Sequence, residues 1–499
     1  MSHSSKGLAR VCLIIPPSAF LLDERVFMSL GVLKVAAVLE AACIPVEVLD
    51  LSGVSNYLEA VSVHASITEA RVFGLTATTP QLPSARAIAE TLKKVRSDSR
   101  VIIGGPHVTL VSAACKRECK RGVLGRAHQA MRRLEELFDV LVAGDGEEAI
   151  FPAIREGAPK LLDADDPSGV LWVPEARLEH LPFPARHLVD VASYRYSIEG
   201  IPALSLIAQL GCPFECGFCG GRASAMLRRI RTRPTESIVR EMRQMYEAYG
   251  RQGFMLYDDE LNVSREMVQL MRQIALTQRE LGVEWRLRGF VKAELFNQEQ
   301  AEALAEAGFK QILVGFESGS PRILANINKK ATREDNTRAV QIAHAAGLKV
   351  KALMSIGHPG ESSETVKDTL DWLLSTRPDD LDVTVITCYP GTPYYDEAEE
   401  VGDGTWVYTF KRTGDRLYQD NPNFDEHAEY YKGKPGEYHA FVFTDELSRK
   451  QLVIERDRLE ATVRAELSIP FYAGVPGVQF EHSMGQSGLP PSILRSSVS

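Results

Sequence analysis

The sequence is poor in cysteine. It has eight in 499 residues, with no regular pairing that would read as a disulfide framework. It lacks an excess of positive charge. The 57 Lys and Arg against 66 Asp and Glu leave a net charge of −9, which argues against a dedicated nucleic-acid binder, whose surface is usually basic. No apolar run reaches membrane-spanning length. The opening stretch MSHSSKGLARVCLIIPP does not read as a signal peptide, because its apolar run is short and is cut by Pro16 and Pro17. The cytoplasm is therefore the expected compartment. What is present is an ordinary globular composition, 44% hydrophobic and 25% charged, in a chain long enough for roughly two to four domains.

The first 150 residues alternate strand-like and helix-like patterns. VCLIIPP, PVEVLDLSG, ARVFGLTATTP, RVIIGGPHVTL and FDVLVAGDGEEAI read as strands. SLGVLKVAAVLEAAC and PSARAIAETLKKVRSD read as helices between them. Such alternation predicts βαβ units and a parallel sheet, with ligands bound beyond the carboxyl ends of its strands. Residues 151–199 are rich in prolines and read as a surface linker. From 200 to 395 a second alternating series begins with ALSLIAQL and continues through GFMLYDD, VEWRLRG, QILVGFES, KVKALMSIG and DVTVITCYPG. Helices ending at glycine separate these strands. A run of six such units predicts a full or partial barrel, with chemistry at the C-terminal strand ends. Residues 396–485 form a small mixed region that includes a charged helix. Residues 486–499 read as a disordered tail.

Within QLGCPFECGFCGG, just after the first strand of the second series, stand Cys212, Cys216 and Cys219. Thiolates are soft ligands that suit zinc, copper(I) or iron–sulfur centres. Structural zinc usually takes four ligands, commonly from two paired knuckles, and no second CxxC pair is present. Three protein ligands on a four-iron cluster would leave one iron for a partner from outside. Cys115 and Cys119, in CKRECKR, read as an exposed helix.

The CxxxCxxC spacing, with Phe218 before the last cysteine, resembles the radical S-adenosylmethionine (SAM) superfamily. The resemblance implies that Cys212, Cys216 and Cys219 hold a [4Fe-4S] cluster whose open iron is chelated by SAM. Reduction then cleaves SAM to a 5′-deoxyadenosyl radical. It further implies SAM contacts from Asp258, Asp259 and Glu260 in LYDDE, from Arg288 at the end of the third strand, from Glu317 and Ser318 in GFESGS, and from Gly357 in SIGHPGES.

GLTATTP, VIIGGPHVT and DVLVAGDGEEAI look like the cobalamin-binding domain fused to many radical SAM enzymes. The candidate cobalamin contacts are Thr76, Thr79, Gly104, Gly105, Pro106, His107, Gly144, Gly146 and Glu147. One departure stands out. The DxHxxG motif, whose histidine ligates cobalt in other cobalamin proteins, is absent: Asp50 is followed by Leu51, Ser52 and Gly53. The family often lacks this motif, but so would a degenerate domain that had lost cobalamin.

The fold class implied is α/β: an N-terminal Rossmann-like cobalamin-binding domain (1–150), a linker, a partial (β/α)6 radical SAM barrel (200–395) and the mixed C-terminal region. The function implied is C-methylation of an unactivated carbon in a small molecule or natural-product precursor. The alternatives are a cyclisation or oxidative rearrangement using the same cofactors, as in the anaerobic cyclase for magnesium-protoporphyrin ester, and a non-catalytic cobalamin or iron–sulfur sensor. An electron donor such as flavodoxin or ferredoxin is expected, with no nucleic acid and no membrane span. Tyr394, Tyr395, Tyr430, Tyr431 and Tyr438 could line a substrate pocket, and Cys388 could face it.

Overall fold

The computed structural model describes residues 10–18, 24–428 and 439–470. Tyr430, Tyr431, Tyr438 and the expected C-terminal tail lie outside them.

The first domain begins with β1 (Val11–Ile15), α1 (Leu30–Ala41), β2 (Val46–Asp50) and α2 (Tyr57–Ile67). It continues through β3 (Val72–Thr76), α3 (Leu82–Val95), β4 (Arg100–Gly104) and α4 (Pro106–Lys120). It closes with α5 (Arg126–Leu137), β5 (Val140–Gly144), α6 (Gly146–Ala153) and β6 (Leu161–Ala164). The six strands pair in parallel in the order β2-β1-β3-β4-β5-β6. The strands are apolar on both faces because both are covered. Cys12 and Ile14 pack with α2, α3 and α5, while Val11, Leu13 and Ile15 pack with α1. The order reverses between β1 and β3, the switch point at which open α/β sheets bind ligands.

Two expectations change here. The stretch read as a fourth strand turns at Gly105 (φ 96°), and His107 to Leu110 begin α4. Pro106 at the helix start fits, since its missing N–H would have no intrahelical partner. The sheet also runs past residue 150, because β6 lies in the presumed linker.

After a short helix α7 (Glu175–Leu178), the hairpin of β7 (Ser197–Ile198) and β8 (Ile201–Leu206) starts the second sheet. The small ribbon of β9 (Gln209–Leu210) and β10 (Arg231–Thr232) brackets the cysteine loop, and α8 (Ala225–Arg228) lies between them. Then come α9 (Thr235–Tyr249), β11 (Gly253–Leu256), α10 (Met267–Leu281), β12 (Arg286–Phe290), α11 (Gln298–Glu306) and β13 (Phe309–Glu317). They are followed by α12 (Pro321–Ile327), α13 (Arg333–Ala345), β14 (Lys349–Ile356), α14 (Ser363–Thr376) and β15 (Asp380–Val385). The sheet order β15-β14-β13-β12-β11-β8-β7 is parallel from β8 onward, the six-unit partial barrel expected. Helical spacing explains the outer layer. Ile238, Met242 and Met245 of α9 recur on one face and pack with Leu204, Leu206, Phe254 and Leu256. The helices stop where the chain allows it, α9 at Gly250 and α10 at Gly282, both left-handed.

The C-terminal region adds α15 (Pro393–Asp396), then an antiparallel sheet that sequence periodicity did not reveal: β16 (Glu399–Gly402), β17 (Thr405–Thr409), β18 (Arg416–Gln419) and β19 (Val442–Phe443). The charged helix α16 (Arg449–Glu466) lies against β15, where Arg464 reaches Asp380 Oδ1 at 3.2 Å. Among the described residues no helix is long and apolar enough to cross a membrane.

Candidate cofactor site at the strand ends

The cysteine loop is pinned by its backbone. Cys212 N donates to Leu227 O at 2.8 Å and Gly217 N to Ile327 O at 2.7 Å, while Gly217 O accepts from Tyr394 N at 3.1 Å. Asn328 Nδ2 donates to Glu215 O at 3.0 Å. Phe218 packs on α12 and meets the His358 ring edge-on at 5.5 Å. These contacts tie the loop that carries the three thiols to α8, α12 and α15.

Burial disfavours the thiolate form at each of the three cysteines. Burial pushes Cys212 up to about 11 and raises Cys216. Cys219 is exposed, yet the protein around it pushes its thiol up to about 12. Cluster iron, when bound, would favour the thiolates against this burial. Two buried lysines, Lys329 and Lys292, lie near enough to Cys216 to favour its thiolate.

Asp258 performs two tasks. Its Oδ1 accepts from Ala208 N at 2.7 Å and Gln209 N at 2.6 Å, which fixes the entry to the loop. Its Oδ2 is buried without a partner, as is Glu260 Oε2. Burial holds both carboxyls up at about 7. Asp259 accepts from Gly211 N at 3.1 Å. Unsatisfied buried acceptors are rare and costly, so a donor is missing here. The ammonium of SAM is a donor of the right charge. The chemistry of the three thiols and these orphaned acceptors fits a cluster with SAM.

Glu317 lies near enough to Glu260 and Cys216 to disfavour their charged forms. It sits at a bulge with φ 64°, and the absent side chain of Gly315 leaves room for its carboxylate beside Lys329. Lys329 Nζ donates to Glu317 Oε1 at 2.9 Å and Ser355 Oγ to Oε2 at 2.8 Å. Ser355 Oγ therefore accepts from His358 Nε2 at 2.8 Å, which leaves Nδ1 to accept from the Tyr394 hydroxyl at 3.4 Å. Burial lowers His358 to about 4, so it is neutral. Burial works against the Lys329 charge, but Glu317, Cys216 and Glu260 outweigh it and hold the ammonium above its usual range.

Other candidates are placed differently. Arg288 is in the middle of β12, not at its end, and donates to Tyr196 OH at 3.0 Å inside the barrel. Ser318 bonds Thr369 Oγ1 of α14 at 3.0 Å, just after the register shift that ends at Glu317. The open side of Gly357 faces Val442, Val385 and Leu452 rather than a ligand.

At the first domain's strand ends, Thr76 and Gly104 end paired strands and Gly105 packs on Thr76 Oγ1. Pro106 opens α4, and the next residue, buried His107, has Nδ1 3.0 Å from Thr79 Oγ1. Burial lowers His107 to about 3. Gly144 presses on the backbone of Ala164 and Asp165, Gly146 on Val35, and Glu147 pairs with Lys34 Nζ at 2.6 Å. These last three serve the packing of the sheet edge. Asp50, where the absent motif would begin, pairs with Arg25 at 3.1 Å and accepts from Tyr194 OH at 2.7 Å. Cys388 is buried, and this pushes its thiol up to about 12.

The two domains meet over the cysteine loop. Leu110 of α4 lies against Gly220, and Asp165 Oδ1 accepts from Ser224 Oγ and Met226 N, both at 2.7 Å. Sequence reasoning missed Lys292, Lys329, Ser355 and His358. Only His358 carried a signal, its place beside the glycine of a strand end.

Residues 206–373 match the family model described as the Radical SAM superfamily, and residues 24–135 that of the B12 binding domain. An uncharacterized methyltransferase of Pyrococcus horikoshii is 27% identical over 327 residues, 66% of this chain and 69% of its own. The anaerobic magnesium-protoporphyrin IX monomethyl ester cyclase of Rubrivivax gelatinosus is 24% identical over 388 residues, 73% of this chain and 65% of its own. The fold resembles that of the radical S-adenosylmethionine methyltransferase TsrM from Kitasatospora setae, solved with cobalamin and a [4Fe-4S] cluster. The TM-score is 0.63 at 18% identity, over 91% of each chain.

Proposed function

Because the chain joins a B12 binding domain to a radical SAM domain, we infer that it is a cobalamin-dependent radical SAM methyltransferase. Its substrate is a small molecule or natural-product precursor methylated at an unactivated carbon. The observation that carries this reading is the seating of Leu110, one turn into α4 from the switch-point domain, on Gly220 beside Cys219. It sets the strand ends of the first domain over the cluster loop. When bound, the cluster with SAM supplies hydrogen-abstracting chemistry, and cobalamin supplies a methyl carrier.

The protein's own residues position and shield. Cys212, Cys216 and Cys219 hold the cluster. Asp258 and Glu260 offer acceptors to the SAM ammonium, and Glu317 is fixed nearby by Lys329 and Ser355. Phe27 of the first domain packs on the rings of Tyr196 and Tyr257, with centroids 4.6 and 5.1 Å apart. The setting is the cytoplasm, with electrons from a flavodoxin or ferredoxin.

Anaerobic reconstitution with iron, sulfide and hydroxocobalamin tests the reading. It predicts about four irons and one cobalt per chain. With substrate, it predicts S-adenosylhomocysteine beside 5′-deoxyadenosine and a product heavier by one methyl. Iron without cobalt overturns it. The similarity to a cyclase over 73% of the chain keeps cyclisation as a second reading, marked by turnover without methyl gain.

A further inference from the structure

A second set of soft ligands lies away from the cluster face. Cys115 and Cys119 stand one turn apart on α4, hence on one side of it. His128 lies in the first turn of α5. The two Sγ atoms and a ring nitrogen of His128 all lie within 4.8 Å of one another. Cys119 Sγ is 3.5 Å from His128 Nε2.

The other ring nitrogen is already engaged. His128 Nδ1 is 3.0 Å from Glu118 Oε2. That carboxylate is held in turn by the backbone N–H groups of Gly125, Ala127 and His128, each at 3.0 Å. Glu118 accepts at all of these contacts, so Nδ1 carries the ring proton and the Nε2 lone pair faces the thiols. A histidine oriented through one nitrogen by a carboxylate, with the other turned to soft ligands, is the arrangement that zinc sites use.

We propose that Cys115, Cys119 and His128 bind a zinc ion, with water as the fourth ligand. Binding releases the two thiol protons. Two thiolates, a neutral imidazole and Zn²⁺ then sum to zero charge, which suits a half-exposed site. Cys119 is exposed and gives the ion a way in. A comparable trio at Cys12, Glu47 and His64 is less suited: Cys12 is fully buried, and Cys12 and Glu47 both contact the same nitrogen of His64.

The zinc staples α4 to α5 across the turn at 121–125. That hairpin grips the C-terminal region. Arg117 pairs with Asp396 at 3.3 Å, Arg121 donates to Asp396 O at 2.8 Å, and buried Arg126 donates to Tyr395 O at 2.5 Å. The neighbouring Tyr394 bonds the cysteine loop at Gly217. The ion braces the hairpin through three protein ligands and takes no part in turnover.

The test is elemental analysis of the full-length, cluster-reconstituted protein after one equivalent of zinc and removal of loosely bound metal. One zinc per chain is expected beside the iron. Cys119→Ser and His128→Ala should each bring zinc to background while iron per chain stays unchanged. Glu118→Gln, which keeps all three ligands, should weaken zinc binding roughly 10- to 100-fold in a chelator competition. Absence of zinc from the wild-type protein overturns the proposal. So does zinc retained in full by the Cys119 and His128 variants, which would locate it elsewhere.

Discussion

Leu110 of the first domain closes on Gly220 of the second: a Cβ at residue 220 would stand 2.5 Å from Leu110 Cδ2. The obstacle is the end of a flexible side chain, so Gly220→Ala is tolerable. Gly220→Val overpacks the contact, at a cost of about 1–3 kcal/mol, and pushes the domains apart. Iron and cobalt per chain should stay constant in the valine variant, and deoxyadenosine should still form. Methylated product per deoxyadenosine should fall. An unchanged ratio would show that this contact does not set the approach of the two cofactors.

Any one of Cys212→Ala, Cys216→Ala or Cys219→Ala should abolish both the thiolate-to-iron absorption and deoxyadenosine formation. Cys388→Ala should keep the absorption, because that thiol is buried beside Arg126 and Tyr394 rather than on the loop. Absorption spectra of the anaerobically reconstituted variants decide this. A cluster that survives loss of one loop cysteine with full iron would refute the ligand assignment.

Glu361 gives a pH dependence of known sign. It lies in the turn after β14, where burial raises its carboxyl from 4.5 to about 7 against the opposing hydrogen bonds of Thr365, His358 and Gly357. A carboxyl raised in the folded state contributes stability that is complete below 4.5 and is lost as pH rises through about 7. The loss amounts to roughly 3 kcal/mol. The difference in Tm between wild type and Glu361→Gln should therefore shift in the variant's favour from pH 4.5 to 7 and level off above that. A flat difference across this range would mean that the carboxyl ionises normally.

Much of this architecture was legible in the sequence because it rests on local signals. Apolar runs punctuated by glycine placed the strands, and helical spacing placed α9 and α11. The tight cysteine trio marked the loop. What was hidden depends on long-range pairing. The β16–β19 sheet has short strands, and β19 pairs with β18 from more than twenty residues further along the chain. Arg288 and Ser318 were misplaced because one residue of register, or one bulge, decides which way a side chain points. Lys329, in INKKAT, carries no local signal of its place, and only the fold brings it to Glu317.

Tyr394 separates packing from hydrogen bonding. Its ring lies against Gly217, whose missing side chain makes room for it, and its hydroxyl reaches His358 Nδ1. Tyr394→Phe removes only the hydroxyl and should cost about 1 kcal/mol, with iron retained. Tyr394→Ala leaves a cavity beside the loop and should cost about 3–5 kcal/mol, with faster loss of iron in air. Equal iron loss in both variants would mean that the hydroxyl, not the ring, supports the loop.

The Lys329–Glu317 pair is buried, so each partner makes the other tolerable. Lys329→Met should destabilise the protein by about 3–5 kcal/mol, because it leaves the Glu317 carboxylate without its cation. Adding Glu317→Gln should recover a large part of that loss, since no unpaired charge then remains. Denaturant unfolding of the single and double variants measures this coupling. Lys329 also lies close enough to Cys216 to favour its thiolate, so it offsets the negative charge of a three-thiolate cluster. Removing that charge while Glu317 is neutralised should make the cluster harder to reduce, and redox titration followed by EPR reads the shift. If the double variant is as unstable as Lys329→Met, the lysine acts through its packing. If the potential does not move, its charge is screened from the iron.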